Sequence, residues 1–250
     1  MTRLTRNKSS LINTHKTLSF VFDGKKYKGF EGDTLASALL ANDVKLIARS
    51  FKYHRPRGII TSGSHEPNAL VEITRDNYNE PNSKATTVEL YEGLKAKSQN
   101  CWPSLKFDMM SINDKFSNFI GAGFYYKTFM WPSSFWEKIY EPLIRKAAGL
   151  GKLSRSQNNG NSEKGFLHCD LLIIGSGPSG LISAYIAGLA GIKVILIEED
   201  YIFGGSLNNE IFKISNMSAQ DWVQSILKEI GKLPNVRCIK NTSVIGMFDH

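Results

Sequence analysis

Three glycines carry the clearest chemical signal in this sequence: Gly175, Gly177 and Gly180, whose G-x-G-x-x-G spacing suits a bound pyrophosphate. The first permits a tight turn out of a strand, and the second lets a phosphate approach the backbone. The third allows the following helix to pack closely on the sheet. Because the N–H groups and dipole at a helix start favour negative charge, the pattern predicts an adenine dinucleotide over residues 175–180.

An acidic residue completes this predicted site. Glu198 lies 18 residues after Gly180, where a carboxylate can accept hydrogen bonds from the adenosine ribose and repel a 2′-phosphate. Glu199 is the next residue, so the acid that binds the ribose is either Glu198 or Glu199. A turn at 204–206 is placed to cover the nucleotide, with an ordinary loop as the alternative. The predicted cofactor-binding residues are Gly175, Ser176, Gly177, Pro178, Ser179, Gly180, Glu198, Glu199, Gly205 and Ser206.

The elements around the glycines support this interpretation. An apolar segment at 168–174 predicts a strand buried on both faces, as in a parallel sheet. A helix then runs to about Ala190 and stops at Gly191, and a second buried strand covers 193–197. We further expect an amphipathic helix over 221–232 and strands over 236–239 and 243–248. Residues 167–250 are therefore predicted to be the first part of a dinucleotide-binding domain, truncated because a whole one usually needs about 120–150 residues.

The amino-terminal region predicts a different fold. Alternating apolar residues at 18–22, the turn Asp23-Gly24 and a second apolar stretch indicate a β-hairpin. Asp33 or Thr34 can cap a helix over 35–42, and strands are expected at 69–73 and 86–90. This order is that of a β-grasp domain, which we place at 18–94 after a leader at 1–17.

The middle of the chain holds two further segments. Residues 95–150 are rich in large aromatic side chains, and only 134–148 has helical spacing. These aromatics pack on the flanking domains or face another chain. Residues 151–166 are polar and rich in Gly, Asn and Ser, which predicts a linker.

Composition excludes several classes of function. The formal net charge of +8 comes from scattered basic residues, so we expect no nucleic-acid partner. No apolar segment approaches the roughly 20 residues that span a bilayer, and the three cysteines stand at no metal-ligand spacing. We therefore expect a cytoplasmic location, no membrane and no metal. No catalytic residues are recognisable, since a bound cofactor would itself supply redox chemistry.

The aromatic-rich segment also carries a resemblance to a known family. The segments that carry it are Trp102–Phe107, Ala122–Pro132, Phe135–Lys138, Tyr140–Pro142, Arg57–Ile59 and Glu66–Val71. Through them the chain, from about residue 20 to its end, resembles the alpha subunit of heterotetrameric sarcosine oxidase. The implied fold class is α/β and α+β: a β-grasp, ferredoxin-like domain followed by an incomplete Rossmann-like domain.

The resemblance implies a function and a set of cofactors. The family's dinucleotide site holds NAD and matches Gly175, Gly177, Gly180 and Glu198, although the fingerprint alone leaves FAD open. An FMN lies at the interface with the beta subunit, and that subunit holds an FAD. The holoenzyme, completed by gamma and delta subunits, oxidatively demethylates sarcosine to glycine. It transfers the one-carbon unit to tetrahydrofolate and releases hydrogen peroxide.

The ferredoxin-like domain departs from its relatives in one respect. Its loop at 58–68 contains no cysteine, and thiolates hold iron–sulfur clusters, so we expect no cluster there. Two alternative functions stay open. One is a subunit of a related FAD-dependent dehydrogenase acting on proline, an opine or dimethylglycine. The other is a non-catalytic scaffold with a structural nucleotide. We expect the 250-residue chain alone to be inactive.

Overall fold

The computed structural model describes residues 3, 11–75, 78–124, 127, 129, 131–148, 151, 152, 154 and 164–248. These residues form two compact units, a first unit within 11–159 that also includes residue 3, and a second unit within 160–250. Much of the predicted leader and most of the predicted linker lie outside the described residues. No helix in the described part of the chain is long and apolar enough to cross a membrane.

The first unit is built on strands with one principal helix. Its strands are β1 Asn13–Phe22, β2 Lys25–Glu31, β3 Ala48–Arg49, β4 Pro56–Arg57, β5 Leu70–Arg75, β6 Tyr78–Lys84 and β7 Lys95–Ser98. Its α-helices are α1 Leu35–Ala41, α2 Ile112–Lys115 and α3 Glu141–Ala148. A π-helical turn at Trp136–Tyr140 leads into α3.

The hairpin of β1 and β2 follows directly from the sequence. Leu18, Phe20 and Phe22 alternate into the core, because side chains of a strand point to opposite faces in turn. The turn residues Asp23 and Gly24 both have positive φ, 47° and 75°, as a tight two-residue hairpin requires. The two strands pair antiparallel, with Phe22 opposite Lys25.

The main sheet has the order β2-β1-β7-β5-β6. The central pair β1 and β7 is parallel, and the other pairs are antiparallel. Helix α1 buries Leu35, Ala38 and Leu39 in the same core as the sheet. Thr34 begins the helix, since its hydroxyl accepts from the Ser37 N–H and the Ser37 hydroxyl accepts from the Thr34 N–H. The predicted β-grasp fold is confirmed.

The predicted strand at 86–90 is wrong. Residues 85–88 instead cap the start of α1, where the Leu35 N–H donates to the Val88 carbonyl and the Ala36 N–H donates to the Ala85 carbonyl. Helix starts leave N–H groups without intrahelical partners, and this segment supplies acceptors for two of them. The sheet is completed by β6 and β7, whose polar sequences carry no strand signal.

Several rings of the aromatic-rich segment contact one another, and others are exposed. The ring of Tyr140 lies 5.0 Å from that of Phe129 and 6.2 Å from that of Phe135. Phe119 and Trp131 are 83% and 84% exposed. Tyr125 and Tyr126 lie outside the described residues.

The second unit is a layered α/β structure. Its strands are β8 Leu171–Ile174, β9 Val194–Ile197, β10 Lys213–Ile214, β11 Met217–Ser218 and β12 Val236–Ile239. Its helices are α4 Pro178–Leu189 and α5 Ala219–Ile230. The parallel sheet has the order β12-β9-β8. Both helices share one core with it, so the predicted Rossmann-like fold is confirmed.

Two expectations for this unit are corrected. We expected the first strand to be buried on both faces, but β8 is the edge of the described sheet, and Leu172 and Ile174 are 45% and 65% exposed. The central strand β9 has the expected burial. Residues 243–248 form no strand.

Candidate dinucleotide-binding site

The glycine-rich loop joins β8 to α4 by a sharp turn. Gly175 has φ of +91°, a conformation that side chains with a Cβ rarely adopt. Gly180 lies in the first turn of α4, where a Cβ would stand 2.0 Å from the Gly175 carbonyl oxygen. Glycine at 180 therefore lets the helix return against the strand that precedes it.

Gly177 differs from these two glycines, because neither its backbone conformation nor a close neighbour among the described residues requires a glycine. Its φ and ψ are −63° and −177°, which any residue adopts, and a Cβ there would meet no atom within 4 Å. It is the N-cap of α4, and no side chain caps this helix start. The loop thus leaves open space in front of the positive end of a helix, as an anion requires.

Ser176 ties the loop to two other segments. It is fully buried, and both its N–H and its hydroxyl donate to Oε2 of Glu198. Its Oγ also accepts from the Gly204 N–H at 3.0 Å. One side chain therefore connects the glycine-rich loop, the acid after β9 and the turn at 204–205.

Glu198 is held close to this loop. It is only 6% exposed, and its Oε1 accepts from the Asp200 N–H at 3.0 Å. A carboxylate has about four acceptor positions, so Glu198 keeps acceptor capacity beyond its bonds to Ser176 and Asp200. Glu199, the neighbouring candidate, is exposed. Of the two acids, Glu198 is the one beside the glycine-rich loop.

Asp200 has a perturbed acidity. Burial raises its pKa to about 6, against the lowering effect of the hydrogen bond from the Tyr201 N–H. The carboxylates of Glu198 and Glu199 also contribute to this raised value, because like charges disfavour ionisation. The end of β9 therefore concentrates negative charge beside the loop.

The turn at 204–205 lies directly against the loop. Gly204 and Gly205 have φ of +119° and +53°, and a Cβ on Gly205 would stand 3.2 Å from the Gly177 Cα. The turn begins a 3-10 helix at Gly205–Asn209. Pro178, Ser179 and Ser206, the remaining predicted residues, are exposed.

The structure thus places residues 175–180, Glu198 and Gly205 together at the carboxyl end of β8. Two further contributors, the N–H groups of Asp200 and Gly204, could not be predicted, because backbone donors have no signature in residue type. Among the described residues, no three His, Cys, Asp or Glu side chains form a group that could hold a metal.

Comparison with known families divides the chain in the same two parts. Residues 15–101 match a family described as a 2Fe-2S iron-sulfur cluster binding domain. Residues 157–239 match the Thi4 family. The structure is similar to L-proline dehydrogenase from P. horikoshii, with a TM-score of 0.52 and 20% identity over 94% of this chain and 35% of that one. That likeness concerns the fold alone.

Curated relatives extend the match over nearly the whole chain. The chain is 53% identical over 242 residues to sarcosine oxidase subunit alpha of Rhizobium meliloti (strain 1021), covering 97% of this chain and 24% of the relative. It is 28% identical to the subunit of that name from Corynebacterium sp. (strain U-96), covering 95% of this chain and 20% of the relative. The chain therefore spans a fifth to a quarter of these relatives' length. The chain thus matches sarcosine oxidase alpha subunits over nearly its whole length, which confirms the resemblance carried by the aromatic-rich segment.

Proposed function

We propose that the second unit binds the ADP portion of an adenine dinucleotide, with the pyrophosphate over Gly175–Gly180 and the ribose at Glu198. Ser176, Pro178 and Ser179 line the phosphates, Glu199 flanks the ribose acid, and Gly205 and Ser206 cover the loop. NAD is the proposed ligand on the family resemblance, with FAD as the alternative. When bound, either cofactor carries hydride-transfer chemistry.

The observation that carries this proposal is the empty space at Gly177. A glycine normally occurs where the fold requires a positive φ or leaves no room for a side chain. Gly177 meets neither need, since its φ is −63° and a Cβ would touch nothing within 4 Å. A phosphate that approaches the backbone explains why a side chain is absent here.

The residues of the site act on the ligand by position and charge. The uncapped start of α4 stabilises phosphate charge through its N–H groups. Glu198, oriented by Ser176, accepts from ribose hydroxyls and repels a 2′-phosphate, which favours NAD over NADP. Ser176 is a positioning residue, because it acts through Glu198 and Gly204.

We further propose that the chain works in a cytoplasmic, multi-subunit oxidase. In this proposal the complex of alpha, beta, gamma and delta subunits demethylates sarcosine, passes the one-carbon unit to tetrahydrofolate and releases hydrogen peroxide. FMN at the interface with a partner subunit and FAD in that partner carry the redox chemistry. The 53% identity to a sarcosine oxidase alpha subunit supports this assignment.

The test is to denature the purified chain and identify the released nucleotide by mass and absorbance. Released NAD without a flavin spectrum supports the proposal, and released FAD would identify the ligand of this site as FAD, the alternative cofactor. If no nucleotide is released and none binds on titration, the proposed site is wrong.

A second experiment tests the substrate. The complex reconstituted with its partner subunits is assayed for hydrogen peroxide with sarcosine, proline, an opine and dimethylglycine. Turnover of sarcosine above the others supports the oxidase proposal, and preference for another amine assigns the complex to a related dehydrogenase.

A further inference from the structure

The loop that would hold a metal cluster in the first unit does not fit one. Residues 15–101 match a 2Fe-2S cluster binding family, yet the loop at 58–68 contains no cysteine. Cysteine thiolates hold such clusters, and the chain's cysteines stand at positions 101, 169 and 238. Some other group must therefore organise this loop.

A buried carboxylate occupies the inside of the loop. Glu66 is 1% exposed, although it is a residue type that is almost never fully buried without partners. Its Oε2 accepts from the N–H groups of Ile60 and Thr61, both at 2.8 Å. Its Oε1 accepts from the Asn68 N–H at 2.7 Å. One side chain therefore joins the entry of the loop to its exit.

These contacts form an anion site that the protein fills itself. Backbone N–H groups that converge on one point make a concavity for negative charge, and hydrogen bonds to an ionised acceptor are stronger than neutral ones. Burial alone would raise the pKa of Glu66, but the hydrogen bonds from the backbone at 60, 61, 68 and 69 outweigh it and lower the pKa. Glu66 is therefore ionised at neutral pH.

The middle of the loop is attached to two residues at and just beyond the end of β6. The Thr86 hydroxyl donates to the Gly63 carbonyl at 2.6 Å, and Nζ of Lys84 donates to the Ser64 carbonyl at 2.5 Å. These bonds fix the middle of the loop, and Glu66 fixes its two ends.

We propose that Glu66 is a built-in anion that replaces the iron–sulfur cluster as the centre of this loop, so that the first unit is a metal-independent module with no redox centre at this position. The carboxylate accepts from backbone donors at both ends of the loop. This inference does not depend on the dinucleotide site of the second unit.

Amide hydrogen exchange of the purified chain tests the proposal. With chelator present, the amides of Ile60, Thr61 and Asn68 should be protected at least tenfold over unstructured peptide. Glu66→Gln, which keeps the size but presents an NH₂ group to backbone donors, should lose that protection while β1 and β2 keep theirs. Glu80→Gln is the matched control, since Glu80 is an exposed carboxylate paired with Arg75, and it should leave the loop unchanged.

Three results would overturn the proposal. They are unprotected loop amides in the chelated wild type, unchanged protection in Glu66→Gln, and iron with labile sulfide bound stoichiometrically at 58–68 after anaerobic purification. If Glu66→Gln does not fold, the proposal is tested by amide protection in the chelated wild type and in Glu66→Asp. The shorter carboxylate keeps the charge and should retain part of the protection, and complete loss in a folded Glu66→Asp also counts against the proposal.

Discussion

Replacing Gly177 by alanine should separate nucleotide binding from folding. The change adds one methyl group at a position where the protein itself has 4 Å of clear space. Its φ and ψ need no adjustment. The methyl group enters the space in which the pyrophosphate approaches the backbone, so the variant should fold normally and bind the dinucleotide poorly.

The expected magnitudes follow from the local geometry. Replacing glycine by alanine in an allowed backbone conformation stabilises a protein by about 0.4–1 kcal/mol, because the unfolded chain has less conformational entropy to lose. Alanine is, however, a poorer N-cap than glycine by a similar amount. Because these effects oppose each other, the free energy of unfolding should change by less than about 1 kcal/mol. Losing one charge-assisted hydrogen bond to a phosphate costs about 1.5–3 kcal/mol, which corresponds to roughly a 10- to 150-fold rise in Kd.

The assay is calorimetric titration of the chain with NAD, FAD and ADP-ribose, alongside thermal unfolding. Gly165→Ala is the matched control, since a Cβ at Gly165 also meets nothing within 4 Å and the residue lies outside the glycine-rich loop. It should leave both Kd and Tm unchanged. A folded Gly177→Ala variant with wild-type affinity would refute the reasoning, because the empty space would then have no ligand to accept.

Three further changes test other parts of the structure. Gly180→Ala should lower stability by about 1–3 kcal/mol in chemical unfolding, because its Cβ would stand 2.0 Å from the Gly175 carbonyl oxygen; wild-type stability would contradict the close helix–strand approach. Ser176→Ala removes the hydroxyl between Glu198 and Gly204, and should weaken NAD binding about 3- to 10-fold while narrowing the preference for NAD over NADP; an unchanged preference would contradict its positioning role. The pKa of Asp200 is raised from 3.8 to about 6, so the folded state binds this proton more tightly than the unfolded chain does. The contribution of Asp200 to stability is therefore fully present below pH 3.8 and is lost as pH rises through about 6. Asp200→Asn should therefore raise Tm at pH 7.5 but not at pH 3.5, and an equal gain at both values would rule out the ionised carboxylate as the cause.

Much of the architecture could be predicted from the sequence, because the signals are local. The alternation of Leu18, Phe20 and Phe22 before Asp23-Gly24 specifies a hairpin through side-chain period and turn conformation. The G-x-G-x-x-G spacing specifies a strand, a turn and a helix in the same way. The aromatic-rich segment indicates the family through its residue order alone, because that order is unusual.

The remaining expectations failed where the outcome depended on distant partners. Residues 86–90 have strand-like composition, but the Val88 carbonyl accepts from the Leu35 N–H at the start of α1. β8 is the edge of the described sheet, and no local pattern encodes the place of a strand in a sheet. The polar strands β6 and β7 form because β5 and β1 offer them hydrogen-bonding edges.

Sequence alone thus determined the two kinds of domain, the position of the glycine-rich loop and the acid at the end of the second strand. Only the tertiary structure decided which groups meet: Ser176 with Glu198 and Gly204, and Glu66 with the amides at both ends of its loop. The physical reason is that backbone N–H groups are the same in every residue except proline. Their convergence on one carboxylate is set by the folded path of the chain and leaves no trace in residue type.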